Sequence, residues 1–248
     1  MQFGLDFLTI QAQYAERVAA LADIPLTRAL FLYTSLPIRF GVPFGDLVET
    51  HSDWQAFLSA LQASGDLPQT VAAFHARSQR SLLGLFPTRP QFGCFSFEYL
   101  PHERAVRPHF ANRDAPYPGA LHADHVPTRK AELTAMFQNV HARFPEARTV
   151  IGLSWLYNLP AYRRLFPPAF TASLTPLPHE YHSLGLWGQF LNKRGTVKPD
   201  LRDHFLTAIR AAADLRELEA SFPLSALRAQ ADVTTFYRFY SQSAGRLS

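Results

Sequence analysis

Through the first third of the chain, apolar side chains return every three or four residues, the spacing of helices that bury one face. This spacing predicts helices over residues 6–21, 26–40, 52–64 and 69–82, separated by the breaks Ile24-Pro25, Gly41-Val42-Pro43 and Gly65-Asp66-Leu67-Pro68. In the third of these, Ser52 followed by Gln55 fits a capping box, and Trp54, Phe57, Leu58 and Leu61 form the apolar stripe. Pro87 and Pro90 end the helical period, and the alternation shortens to two. Phe92, Cys94, Phe95 and Phe97 predict a largely buried strand over 91–99, and a turn at Pro101-His102-Glu103-Arg104 leads to a return strand over 105–110.

A loop rich in Pro, Asp and Asn covers 111–125, and Pro127 opens a helix to about residue 144, with Leu133, Met136, Phe137 and Val140 as its buried stripe. Residues 149–156, β-branched at their start and uncharged after Arg148, predict a central strand. A short helix over 159–166, strands over 170–174 and 183–191, and helices over 198–213 and 214–240, the last broken near Pro223, complete the reading. The fold class expected is α/β (α+β), a mixed central sheet flanked by helical segments at both ends. Residues 1–86 would be helices packed on the core, 87–195 the α/β core, and 196–248 helices completing the same domain. There is no internal repeat, heptad run or low-complexity segment.

Composition narrows the setting. The chain has 248 residues, 47% of them hydrophobic, enough to fill a sizeable core. No apolar run approaches the ~20 residues of a membrane span, and the N-terminal residues carry Asp6 and no leader pattern. A cytoplasmic protein is expected, and the single cysteine, Cys94, excludes an internal disulfide and a cysteine-rich zinc site. The 24 Lys and Arg against 20 Asp and Glu give +4, and only Lys130, Lys193 and Lys198 among the 24 are lysines. Arginine favours bidentate contact with carboxylate or phosphate, so the ligand expected is an acidic or phosphorylated small molecule. The basic residues are scattered, without the cluster that tracks nucleic acid, and no nucleic-acid partner is expected.

From Phe92 the element order is strand, strand, helix, strand, short helix, strand, strand, which resembles the later part of the GNAT acyltransferase fold over about residues 92–191. In that family the strand before the short helix splays from its neighbour, and the pantetheine arm of an acyl-coenzyme A lies in the V-shaped opening. The resemblance implies that residues 149–156 are the splayed strand and that acyl-CoA is a co-substrate for transfer to an amine or hydroxyl. Asn158, Ala161 and Tyr162 are similar to the family's asparagine, small residue and tyrosine, although Leu165 stands where that tyrosine usually comes. Tyr162 or Tyr157 would protonate the thiolate, and His109 or Glu98 would accept the proton of the nucleophile. The family's glycine-rich phosphate loop has no counterpart in residues 120–129, where His125, Thr128, Arg129 and Lys130 would hold phosphate by side chains at the helix start.

Other constellations compete. Ser154, Trp155 and Tyr157 end the central strand, where α/β folds gather ligands, and with Asn158 they are candidate pocket residues. The run Gly152-Leu153-Ser154-Trp155-Leu156 lacks the second glycine of a nucleophile elbow. His122, Asp124 and His125, and again His179, Glu180 and His182, offer metal-ligand chemistry without the spacing of a helical zinc motif; no metal is expected, and a loop-histidine metal hydrolase is the third reading. Arg104, Arg107, His109 and Arg113 would form either a solvated sheet face or an anion grip. The second reading is a non-catalytic interaction protein that kept the scaffold, with Phe236, Tyr237, Phe239 and Tyr240 of the tail as surface for a homodimer or protein partner.

Overall fold

The structure, a computed structural model, describes residues 4–43, 47–78, 89–113, 119–177, 185–192 and 194–244. In chain order the elements are α1 (Leu5–Ala22), α2 (Leu26–Tyr33), α3 (Leu36–Arg39), α4 (Ser52–Ser64), α5 (Leu67–Ser78), β1 (Gln91–Phe92), β2 (Phe95–Leu100), β3 (Ala105–Phe110), α6 (Val126–Arg143), β4 (Thr149–Ser154), α7 (Pro160–Arg163), α8 (Pro168–Ala172), β5 (Thr175–Pro176), α9 (Pro199–Ala211), α10 (Leu215–Ala220), β6 (Leu227–Asp232) and α11 (Val233–Ala244). The chain is an α/β protein with a six-stranded mixed sheet flanked by helices. It divides into two compact units, each drawn from two stretches of the chain: Met1–Thr88 with Pro178–Leu224, and Arg89–Leu177 with Ser225–Ser248.

The first unit is helical. α1 buries Phe7, Leu8, Ile10, Tyr14, Ala15 and Val18 on one stripe, and Tyr14 packs its ring against Trp187, Phe205 and Phe222. Its end is fixed by Asp23 in the left-handed region, φ 51°, just before Pro25. The expected capping box of α4 does not form: His51 is the N-cap, its imidazole accepting from Asp53 N, while Gln55 reaches back to the Glu49 carbonyl. The strand expected over 183–191 is replaced, in its described part, by a 3₁₀ turn at Trp187–Phe190. Trp187 and Phe190 are both buried, and side chains three apart share a face only in a helical turn.

The second unit holds the sheet, in the order β1-β2-β3-β4-β6-β5. Gly93, φ 59°, and Cys94 turn β1 into β2, and β2 pairs antiparallel with β3 at all six positions. β4 lies parallel to β3 but pairs with it only at Ala105↔Thr149 and Val106↔Val150, whereas it pairs with β6 at six positions from Thr149↔Asp232 to Ser154↔Leu227. The alternation of a strand puts Phe95, Phe97, Val106, Val150 and Ala229 on one face. That face packs against α6, α8 and α11, where Phe137 meets the rings of Phe236 and Tyr240, and Phe170 meets Phe236. Ser96, Glu98, Arg107 and His109 lie on the opposite face.

Three expectations for this unit are overturned. Residues 170–174 are not a strand: Pro168 opens α8, which drives Phe170 into the core beside Tyr157 and Phe166. The tail is not all helix, because residues 227–232 form β6 between β4 and β5. Leu227, Ala229 and Ala231 alternate there with Arg228, Gln230 and Asp232, a period of two inside a helix-forming composition. Phe236 and Tyr240, offered as partner surface, are core residues at 0% and 2% exposure, with Tyr237 and Phe239 partly buried against them.

Candidate functional site

The β4 strand ends at Ser154 because the serine hydroxyl accepts from Leu156 N at 3.1 Å, capping a 3₁₀ turn over Trp155–Asn158. The expected strand over 149–156 is therefore two residues shorter, and the helix expected over 159–166 is regular only at Pro160–Arg163. Asn158 ties the turn down, its Nδ2 donating to the carbonyls of Trp155 and Ser225, each at 2.8 Å. Ser154 and Asn158 thus shape the end of β4, and Trp155 is half-buried beside them.

This turn folds two tyrosines inward. Tyr157 lies against Gly152, the one β4 position with room for its phenol, and Tyr162 stacks between Tyr157 and Phe110 at ring-centroid distances of 5.1 and 5.6 Å. Both are buried, as is Tyr240, whose hydroxyl donates to the Leu165 carbonyl at 2.8 Å. Loss of solvation pushes all three phenols up from the usual tyrosine range, and the neighbouring phenols raise Tyr157 further. They are neutral at pH 7 and hold their protons more tightly than a solvated tyrosine.

The residues expected to hold phosphate at the start of α6 are not brought together. Arg129 turns inward, 3% exposed, with its guanidinium 3.1 Å from Glu132 Oε1, while Glu132 Oε2 accepts from Cys94 N at 3.1 Å. Thr128 is exposed and His125 half-buried at the N-cap. Lys130 instead lines an open groove of about 580 Å³ with Pro160, Arg163, Arg164, Phe166, Pro168, Thr171, Ala172 and Phe239. Its ammonium sits over the Phe239 ring at 5.4 Å, and Arg164 is anchored by the Leu121 carbonyl at 2.7 Å. Among the described residues, three cations and no carboxylate line this groove. The sequence reading missed Arg163 and Arg164, although an Arg pair two residues after a helix-opening proline and its alanine is a visible signal.

On the other face, the β2–β3 hairpin gathers a second charged group. Ser96↔His109 and Glu98↔Arg107 are cross-strand pairs, so alternation brings Glu98, Arg107 and His109 together. Glu98 Oε2 lies 3.4 Å from His109 Nε2, 3.6 Å from Arg89 and 3.8 Å from Arg107. Burial first, and the Arg89 charge second, lower the His109 pKa to about 4 against the opposing pull of Glu98, so the imidazole is neutral at pH 7. Arg104, at φ 47° in the hairpin turn, is separate from this group, and Arg113 is in the loop after β3.

Among the described residues no three His, Cys, Asp or Glu side chains are placed to hold a metal ion; His122 pairs with Asp124 at 3.3 Å, and His179–His182 lie outside the described residues. Among the described residues no helix is long and apolar enough to cross a membrane. No family model, no curated protein and no solved structure matches the chain.

Proposed function

We propose that the second unit is a GNAT-like acyltransferase that takes acyl-CoA as co-substrate, with the pantetheine arm between β3 and β4. The observation that carries this reading is the parallel pair that stops after two positions. Both strands run six residues and both are fully paired on their outer sides, yet from Arg107 and Ile151 onward nothing pairs them with each other. Facing strand edges that have parted present ladder N–H and C=O groups to an extended, amide-bearing ligand, as in strand addition. The groove of Lys130, Arg163 and Arg164 then supplies charge for the phosphates in place of a glycine-rich loop.

In this reading the acyl carbonyl is polarised by β4 backbone amides, neutral His109 beside Glu98 takes the proton of the attacking amine or hydroxyl, and Tyr162 returns one to the thiolate. The test is thermal denaturation with acetyl- and longer acyl-CoA at millimolar concentration. A ligand at a hundredfold its Kd stabilises by about 2.7 kcal/mol. An upward shift that the double substitution Arg163→Ala, Arg164→Ala abolishes supports the reading, and no shift with any acyl-CoA overturns it.

A further inference from the structure

We propose that the acyl acceptor of this protein carries an anionic group, in the simplest form a carboxylate near its reacting amine, and that Arg107 on the hairpin and Arg89, just before β1, bind that group beside His109. The inference rests on the acyl-transfer reading for the word acceptor, but the anion site stands on the hairpin itself.

Three partners crowd one oxygen of Glu98, and all are too far for a good hydrogen bond, at 3.4, 3.6 and 3.8 Å against an ordinary 2.7–3.2 Å. Glu98 therefore gathers the two guanidinium groups without saturating them. Arg107 Nε is buried and has no hydrogen-bond partner among the described residues, and a buried donor left without an acceptor is costly. With His109 neutral, the described residues of this cluster set two guanidinium charges against one carboxylate, a net of +1. Glu98, Arg107 and His109 each keep about a third of their side-chain surface, so the cluster is reachable, at 33%, 31% and 32%. The missing component is a second oxyanion, for which the planar guanidinium fork is suited; an ammonium or a second guanidinium there would meet like charge.

The chemistry balances around such a ligand. Nitrogen of the acceptor forms a bond to the acyl carbon as the carbon–sulfur bond breaks with its electron pair on sulfur. The nitrogen's proton passes to His109, and the thiolate takes a proton from the protein, so amide and free thiol leave and solvent restores the two groups. Fixing the carboxylate on Arg107 would hold the amine close to the imidazole.

The experiment follows the His109 ring resonances in the full chain by NMR while acetate, 4-aminobutyrate, butylamine, inorganic phosphate and chloride are titrated separately. The expected result is a saturable response to acetate and 4-aminobutyrate, none to butylamine or chloride, and affinity roughly tenfold or more weaker in Arg107→Gln. Arg107→Lys, which keeps charge and loses the fork, should fall between, and Arg89→Gln repeats the measurement if Arg107→Gln does not fold. A stronger response to phosphate than to acetate would assign the site to phosphorylated acceptors. No saturation, or equal affinity in the arginine variants, overturns the proposal. Acetyl-CoA thermal shifts run on the same samples separate the two readings: carboxylate binding without any acyl-CoA shift would leave the anion site and remove acyl transfer.

Discussion

Gly152 stands at the point where β4 passes under the Tyr157 ring. A methyl group there would lie 2.2 Å from the Tyr157 hydroxyl and 2.8 Å from the Phe170 ring, both in the packed core. Gly152→Ala should therefore destabilise by about 2 kcal/mol through overpacking, read as a lower urea midpoint with an unchanged slope. His109 sets a second expectation, this one in pH. Its pKa of about 4 in the folded chain lies below the ordinary 6.5, so between those values the unfolded chain binds the extra proton. Stability is complete above pH 6.5 and falls as pH drops toward 4. The full linkage would be about 3 kcal/mol at 1.36 kcal/mol per unit, reduced because the ring is partly solvated. Urea unfolding at pH 7 and pH 4.5 should show this loss in the native chain, and His109→Gln should flatten it.

Helix α6 is locked to the β1–β2 turn by one carboxylate. Glu132 meets the buried Arg129 guanidinium and the Cys94 amide, and Gly93 makes room, since a Cβ there would lie 1.9 Å from Glu132 Oε1. Removing that carboxylate takes a counter-charge from a buried guanidinium and the acceptor from the Cys94 amide, so Glu132→Ala should cost about 3 kcal/mol by chemical denaturation. The pair Arg129→Met with Glu132→Leu should recover most of it. This arrangement marks the limit of what was readable along the chain. The hairpin of β2 and β3, helix α6 and strand β4 were legible because their periods are local. Strand β6 was not, because its residues are helix formers and its place beside β4 comes from pairing about 80 positions away. At the candidate site the shared face of Arg107 and His109 was legible from strand alternation, and the cross-strand register adds Glu98 beside them. The inward turn of Arg129 was not, since it depends on Glu132 and Gly93 together, and Arg163 and Arg164 come to line one groove with Lys130 and Phe239 only through tertiary packing.

The way the chain alternates between its two units bears on where binding resides. Pro178–Leu224 interrupts the second unit between β5 and β6, yet the ends of the interruption are adjacent: Leu177 N donates to the Ala226 carbonyl at 3.1 Å, just past the pairs Thr175↔Arg228 and Pro176↔Leu227. In geometry this is a hairpin whose loop has grown into 47 residues of the other unit. The described residues of the apolar core beneath the sheet, from Cys94 to Tyr240, all belong to the second unit, and so do those of the basic groove and the charged hairpin face. A two-residue Asn-Gly turn suits antiparallel strands brought this close. A chain of residues 89–248 with 178–224 replaced by such a turn should therefore fold, unfold cooperatively in urea, and keep any acetyl-CoA shift that the proposed function predicts for the full chain. Ending the chain after Phe222 should do the opposite, because it removes β6, all six of its pairs with β4, and the Phe236 and Tyr240 rings from against Phe137. Near-UV circular dichroism distinguishes the outcomes: a native-like aromatic signal in the shortened chain and its loss in the truncated one would place fold and binding in the second unit, and loss in both would show that its sheet needs the rest of the chain.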